Sequence, residues 1–188
     1  MKFKGTYNLN EKKEKVWKIL NDPNTLRNCI EGCSAFTEVS ENNFNIKLQI
    51  KLGPINANFS AKIRIFDINK TESYRIEGSG NAGSLGYVSG IVNVELKQIN
   101  ELVTELRYSA ETKISGKIAQ LGSRLLDGSV KKNTDRFFLN LQGAIEKRHE
   151  YESSILKITE KEKSFSTLKP TLFLFTIAIM LLLIIVVG

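Results

Sequence analysis

The sequence predicts an α+β domain: a curved seven-stranded antiparallel sheet wrapped on a long C-terminal helix, with a transmembrane helix after it. Three observations predict it. Apolar and polar residues alternate with a period of two through most of residues 34–113. The period becomes helical from Lys117 to about Arg148, and the run from Thr171 to Val187, TLFLFTIAIMLLLIIVV, carries no charge.

Each element has its own reason. KFKGTYNL alternates as a first strand. Asn10 is placed to cap a short helix from Glu11 to Leu20, with Val16, Trp17, Ile19 and Leu20 as its apolar content. Asp22-Pro23, an acceptor side chain followed by a proline, starts a second helix that runs toward Cys29 and stops near Gly32. Ser34 to Val39 forms a strand. Phe44, Ile46, Leu48, Ile50 and Leu52 then alternate with Asn45, Lys47, Gln49 and Lys51, Gly53-Pro54 turns the chain, and Ile55 to Ile65 repeats the alternation. SYRIEG, GYVSGIVNVEL and LVTELRYSAETK complete the seven strands, with a hairpin turn at Asn100-Glu101. In the long helix Ile118, Leu121 and Leu125 share one face, and Leu126, Val130, Phe137 and Leu141 occupy another, so a bend is expected near Gly128-Ser129.

A single amphipathic helix is the only large element available to cover the apolar face of this sheet. It cannot fill the concavity of seven twisted strands, so a cavity is expected between sheet and helix. Its predicted lining is Leu48, Phe59, Ile63, Val92, Leu106, Tyr108, Leu121 and Leu125. Gly116, Gly122, Gly128 and Gly143 stand in or beside the helix, where each interior glycine costs roughly 1 kcal/mol relative to alanine. Two readings are open: close packing of helix on sheet, or room and flexibility for a ligand.

The chain divides into a ligand-binding domain (1–148), a charged stalk (149–170) and a tail anchor (171–187). At ~1.5 Å per residue the tail reaches roughly 25 Å, near the thickness of a bilayer core. Its membrane-facing residues are Leu172, Phe173, Leu174, Phe175, Ile177, Ile179, Met180, Leu181, Leu182, Leu183, Ile184 and Ile185. Lys157, Lys161, Lys163 and Lys169 precede it and nothing basic follows, which by the positive-inside rule places the domain in the cytoplasm. MKFKGTYNLNEKKEK lacks the apolar core of a signal peptide, in agreement.

The net charge of +7 lies wholly before the tail. The basic residues are interleaved with glutamates, as in EKKEK, so a mildly basic solvated surface or attraction to anionic lipid is expected, and nucleic-acid binding is not. The only cysteines, Cys29 and Cys33, read as buried thiols or a local redox pair, and with one histidine, His149, far away no zinc site is expected. Gly78 to Gly83, GSGNAG, matches the dinucleotide-binding pattern by letter, but a strand follows it where phosphate binding needs a helix. It reads as a flexible turn, or as a mobile flap beside the cavity. His149 reads as a cation near the negative pole of the long helix. Glu95, Glu105 and Glu111 fall on the polar faces of their strands, so no catalytic constellation emerges and no catalytic or metal residue is assigned.

The run GKIAQLGSRLLDGSVKKNTDRFFLNL, Gly116 to Leu141, resembles the C-terminal helix of the family of the carbon monoxide dehydrogenase G subunit, part of the START-like (SRPBCC) helix-grip superfamily. KGTYNLNEKKEKVWKILNDPNTLRNCIEGC, GSGNAGSLGYVSG and YSAETKISGKIAQLGSRL extend the resemblance over the whole domain. Glu31 departs from the proline that the family often carries between the cysteines, a change confined to a loop. The resemblance implies a lipophilic pocket, no metal or covalently held cofactor, a bound quinone or other isoprenoid lipid, and a role recruiting a molybdenum-containing dehydrogenase of the carbon monoxide or aldehyde type to the membrane. Two other functions are compatible with the residues. One is a lipid or isoprenoid transfer protein without a dehydrogenase. The other is a cyclase- or hydratase-like enzyme, for which only Tyr108 and Tyr74 offer an inward functional group.

Overall fold

The structure, a computed structural model, describes the backbone of residues 1–165 and the side chains of residues 1–151 and 154. The chain divides into two compact units, Met1–Glu146 and Lys147–Gly188. The elements of the first unit are β1 (Lys2–Leu9), α1 (Lys13–Leu20), α2 (Pro23–Cys29), β2 (Cys33–Ser40), β3 (Asn43–Leu52), β4 (Ile55–Asn69), β5 (Ser73–Asn81), β6 (Tyr87–Asn100) and β7 (Val103–Ser115). A 3₁₀ turn (Lys117–Leu121) leads into α3 (Ser123–Phe165). The anchor expected over residues 171–187 lies outside the described residues. Among those described, no helix is long and apolar enough to cross a membrane.

All seven strands form one sheet in the order β1-β7-β6-β5-β4-β3-β2, every neighbouring pair antiparallel. From β3 to β7 each strand lies beside its predecessor, and β1 pairs with β7, Gly5 opposite Tyr108. The edge strand β2 loses register twice, between Cys33 and Ala35 and between Glu38 and Ser40.

Sequence signals act locally where expected at α2. The Asp22 carboxylate accepts from the Asn24 amide at 3.2 Å and from the Thr25 hydroxyl at 2.5 Å, with Pro23 following, so donor satisfaction and a preset φ start the helix together. At α1 the outcome differs. Asn10 does not cap; its amide donates to Gln142 Oε1 at 3.0 Å, and the helix begins two residues later than expected, at Lys13. Thr104, fully buried, donates to the Glu11 carbonyl at 2.7 Å and ties this corner to β7.

The glycine run is a second correction. Gly78 to Asn81 is strand, not turn: Gly78, Ser79 and Gly80 pair with Ile63, Lys62 and Ala61 of β4 and with Gly90, Ser89 and Val88 of β6. The glycines belong there because a Cβ on Gly78 would stand 2.9 Å from Ile63 Cδ1, and one on Gly80 3.1 Å from Phe59 Cδ1. The turn comes later, from Ala82 to Gly86.

The long helix also starts later. Gly122, at φ +81°, separates it from the 3₁₀ turn, so Ile118 and Leu121 do not share a helical face with Leu125. Among the described residues, the side chains of α3 that are buried are Leu126, Phe138, Leu141 and Ile145. A Cβ at Gly128 or Gly143 would meet nothing within 4 Å, so neither glycine serves close packing on the sheet. His149 lies inside α3 and not at its end.

Two apolar clusters result. One joins Leu9, Val16, Trp17, Leu96 and Leu106 to Phe138, Leu141 and Ile145. The other joins Leu52, Ala57, Phe59 and Ala82 to Ile118 and Leu126.

Candidate functional site: an apolar cavity between sheet and helix

Helix α3 meets the sheet at two places, through Leu126 and again from Phe138 onward. Between them, from 127 to 137, it has no fully buried side chain. Across from this stretch Ile63, Val92, Leu106 and Tyr108 point in from the sheet without meeting enough helix to fill the space. The consequence is a cavity of about 460 Å³. Ile63, Ile65, Ile76, Val92, Val94 and Leu106 form its sheet wall, Pro23, Leu26 and Ile30 its α2 wall, and Thr134, Phe137 and Phe138 its α3 wall. Phe36, Phe44 and Ile46 close it from β2 and β3. The size falls within the range of small-molecule sites, and the wall is mainly hydrocarbon and aromatic.

Few polar groups reach it. Tyr74 lines the cavity at 6% exposure with its ring edge-on to Trp17, centroids 5.4 Å apart. Its hydroxyl has no hydrogen-bond partner among the described residues, and burial pushes its pKa up. Tyr108 also lines the cavity. It belongs to a stack in which Tyr7 lies 3.8 Å from Phe138 between ring centroids, and Tyr108 6.4 Å from Tyr7. The stack is pinned from outside: the Tyr7 hydroxyl donates to Asp135 Oδ1 at 2.6 Å, and Lys131 Nζ donates to Oδ2 at 2.6 Å. Burial and the Asp135 carboxylate raise the Tyr7 pKa, while hydrogen bonds from Lys131 and then Tyr7 hold Asp135 below the usual carboxylate range.

The α2 wall is tied to α3 by two bonds. Arg136 Nη1 pairs with both carboxylate oxygens of Glu31, and Asn140 Nδ2 donates to the Cys29 carbonyl at 3.0 Å. Cys29 and Cys33 are free thiols whose pKa values burial raises, the opposite of what makes a cysteine reactive. Among the described residues no three His, Cys, Asp or Glu side chains converge as metal ligands.

Of the residues expected at the cavity, the structure places Ile63, Val92, Leu106 and Tyr108 on its wall. Leu48, Phe59 and Leu121 pack instead in the Ala57–Ile118 cluster. Leu125, 37% exposed, lies over Gly53 at the β3–β4 turn, because Gly122 breaks the helix expected to carry it inward. The α2 wall is absent from the sequence-based lining, although Leu26 and Ile30 stand four apart, a helical spacing that signals an apolar face. Phe138 is absent from the predicted inner face of α3 because adjacent Phe137 fits the helical period there equally well.

A family model for the G subunit of carbon monoxide dehydrogenase (CoxG) matches residues 5–146, all but the first four residues of the cavity-bearing unit. The chain belongs to the CoxG family. A conserved protein from Geobacillus kaustophilus is 31% identical, with a TM-score of 0.75 over 78% of this chain and 96% of that one. A START superfamily protein from Mycobacterium smegmatis (8% identity, TM-score 0.60, 78% and 97% covered) and the Zhui aromatase/cyclase from Streptomyces sp. R1128 (11%, 0.59, 79% and 94%) share the fold of this CoxG chain. No curated protein matches it.

Proposed function

We propose that this chain is a non-catalytic, membrane-anchored adaptor whose cavity binds a lipophilic ligand, a quinone in the first instance. In this reading it recruits a molybdenum-containing dehydrogenase of the carbon monoxide or aldehyde type to the cytoplasmic face of the cell membrane. The observation that carries the reading is the apolar cavity between sheet and α3, in a chain of the CoxG family. Its walls suit a prenylated ring, and the Tyr74 hydroxyl, unpartnered among the described residues, is a donor for a quinone carbonyl. The uncharged run from Thr171 to Val187 supplies the anchor and raises the concentration of the domain beside both lipid and partner.

The test is extraction of the full-length protein and a form lacking 166–188 from native membrane, followed by mass spectrometry of bound lipid. Quinone in both forms is expected, and its absence together with that of any other lipid rejects the carrier role. A second reading, lipid or isoprenoid transfer without a dehydrogenase, rests on the same cavity. Purification of the native complex separates the two, since only the adaptor brings down a molybdenum enzyme.

A further inference from the structure

The opposite face of the sheet carries a second concavity, a trough of about 1140 Å³. Strand register explains it. One row across the outer face reads Asn45, Lys62, Ser79, Ser89, Lys113 from β3 to β7. The middle strands present two short serines, Ser79 and Ser89, while the flanking strands present the long side chains of Lys62 and Lys113. A low floor between tall walls follows. With strands ~4.8 Å apart, Lys62 and Lys113 rise roughly 14 Å from each other.

The next row is Arg64, Glu77, Ile91, Glu111, Lys2. It is neutral and internally satisfied: Arg64 Nη2 lies 2.7 Å from Glu77 and Lys2 Nζ 2.9 Å from Glu111. Beyond it, Arg75 holds Asp67 at 2.9 Å and Asn93 at 3.1 Å. Among the described residues Lys62 and Lys113 alone of these cations have no carboxylate partner. The trough therefore offers two uncompensated positive charges at one end, with the Ser79 and Ser89 hydroxyls on the floor between them and Glu77 and Ile91 beyond.

We infer that this trough is the docking site for an extended acidic polypeptide segment of a partner protein, its carboxylates meeting Lys62 and Lys113 and its backbone lying over Ser79, Ser89 and Asn93. The width suits one extended chain with its side chains, ~10 Å. A planar headgroup layer would reach the walls but not the recessed serines, so a peptide fits better than a lipid surface. The inference deepens the adaptor reading, on which it rests for the existence of a partner.

The experiment uses full-length protein in neutral detergent and a fluorescein-labelled twelve-residue peptide of alternating Glu and Ser, read by anisotropy at low salt. Lys62→Glu with Lys113→Glu is expected to weaken binding at least about tenfold. Ser89→Trp, which fills the floor without changing charge, is expected to weaken it similarly; Ser79→Gln is the milder filling should that variant fail to fold. Lys12→Glu with Lys18→Glu, the same charge change on α1, is expected to stay within about twofold. Equal losses in the two double variants, or no loss in either floor variant, overturns the inference. So does a trough variant that loses binding to phosphatidylglycerol vesicles but keeps the peptide, which would assign the face to lipid. Quinone content measured on the same samples separates the two proposals: retained quinone with failed peptide binding sinks the trough alone, and bound peptide without quinone sinks the carrier alone.

Discussion

Tyr74 concentrates the tension between stability and binding in this protein. Its phenol is buried without a partner among the described residues, and its pKa is raised by that burial. A raised acid pKa means that the folded state holds the proton more tightly than the unfolded chain. Its contribution is then full below the unfolded value of ~10 and is lost as pH rises beyond it. Tyr7 acts in the same direction, so thermal melting followed from pH 9 to 12 should show a decline that Tyr74→Phe reduces. In the proposed quinone complex the same substitution would remove one neutral hydrogen bond to the ligand carbonyl. It should weaken quinone about five- to tenfold in a fluorescence-quenching titration, since such a bond is worth ~1 kcal/mol. Gly5 makes the opposite case, where absence of a side chain is the requirement: a Cβ there would lie 2.5 Å from Tyr108 Cε1. Gly5→Ala must push that ring against the Tyr7–Phe138 stack and should cost about 1–3 kcal/mol in denaturant unfolding.

Among the elements, strands are the most legible in sequence and α3 the least. Alternation fixes which residues of β3, β4, β6 and β7 face inward, because the side-chain period of a strand admits no drift. A helix has no such protection. One positive-φ glycine, Gly122, shifts its start and removes Leu121 and Leu125 from the expected face. Gly78 to Asn81 misleads for a related reason: glycine signals a turn locally, but here it answers a cross-strand demand from Phe59 and Ile63 that local sequence does not display. Gly143 meets nothing, so Gly143→Ala should stabilise the helix by up to ~1 kcal/mol, raising the chemical-denaturation midpoint without altering its slope. The tie between α2 and α3 is an exposed ion pair plus one hydrogen bond, which contributes little to global stability. Arg136→Gln should therefore leave the melting temperature nearly unchanged while speeding release of bound quinone, measurable by stopped-flow transfer to acceptor vesicles.

At the scale of the whole molecule, one helix touches a large sheet near two separated points, and the hollow lies between them. The concavity is legible in advance because the count of strands exceeds what a single helix can cover. Its position is not, since the α2 wall depends on a seven-residue helix folding back onto β2 and being held to α3 through Asn140. Val92→Trp should occupy the hollow, abolish ligand recovery in the mass spectrum and change unfolding stability by less than about 2 kcal/mol, because the added ring enters existing space. A sheet that wraps without closing leaves two rims of unpaired backbone, an invitation to ladder formation with another copy. On β2 the two breaks in register interrupt the spacing of free amides and carbonyls, so an incoming strand finds no long matching run. The irregular rim thus guards against fibrous self-association, and a deletion that straightened β2 would favour aggregation.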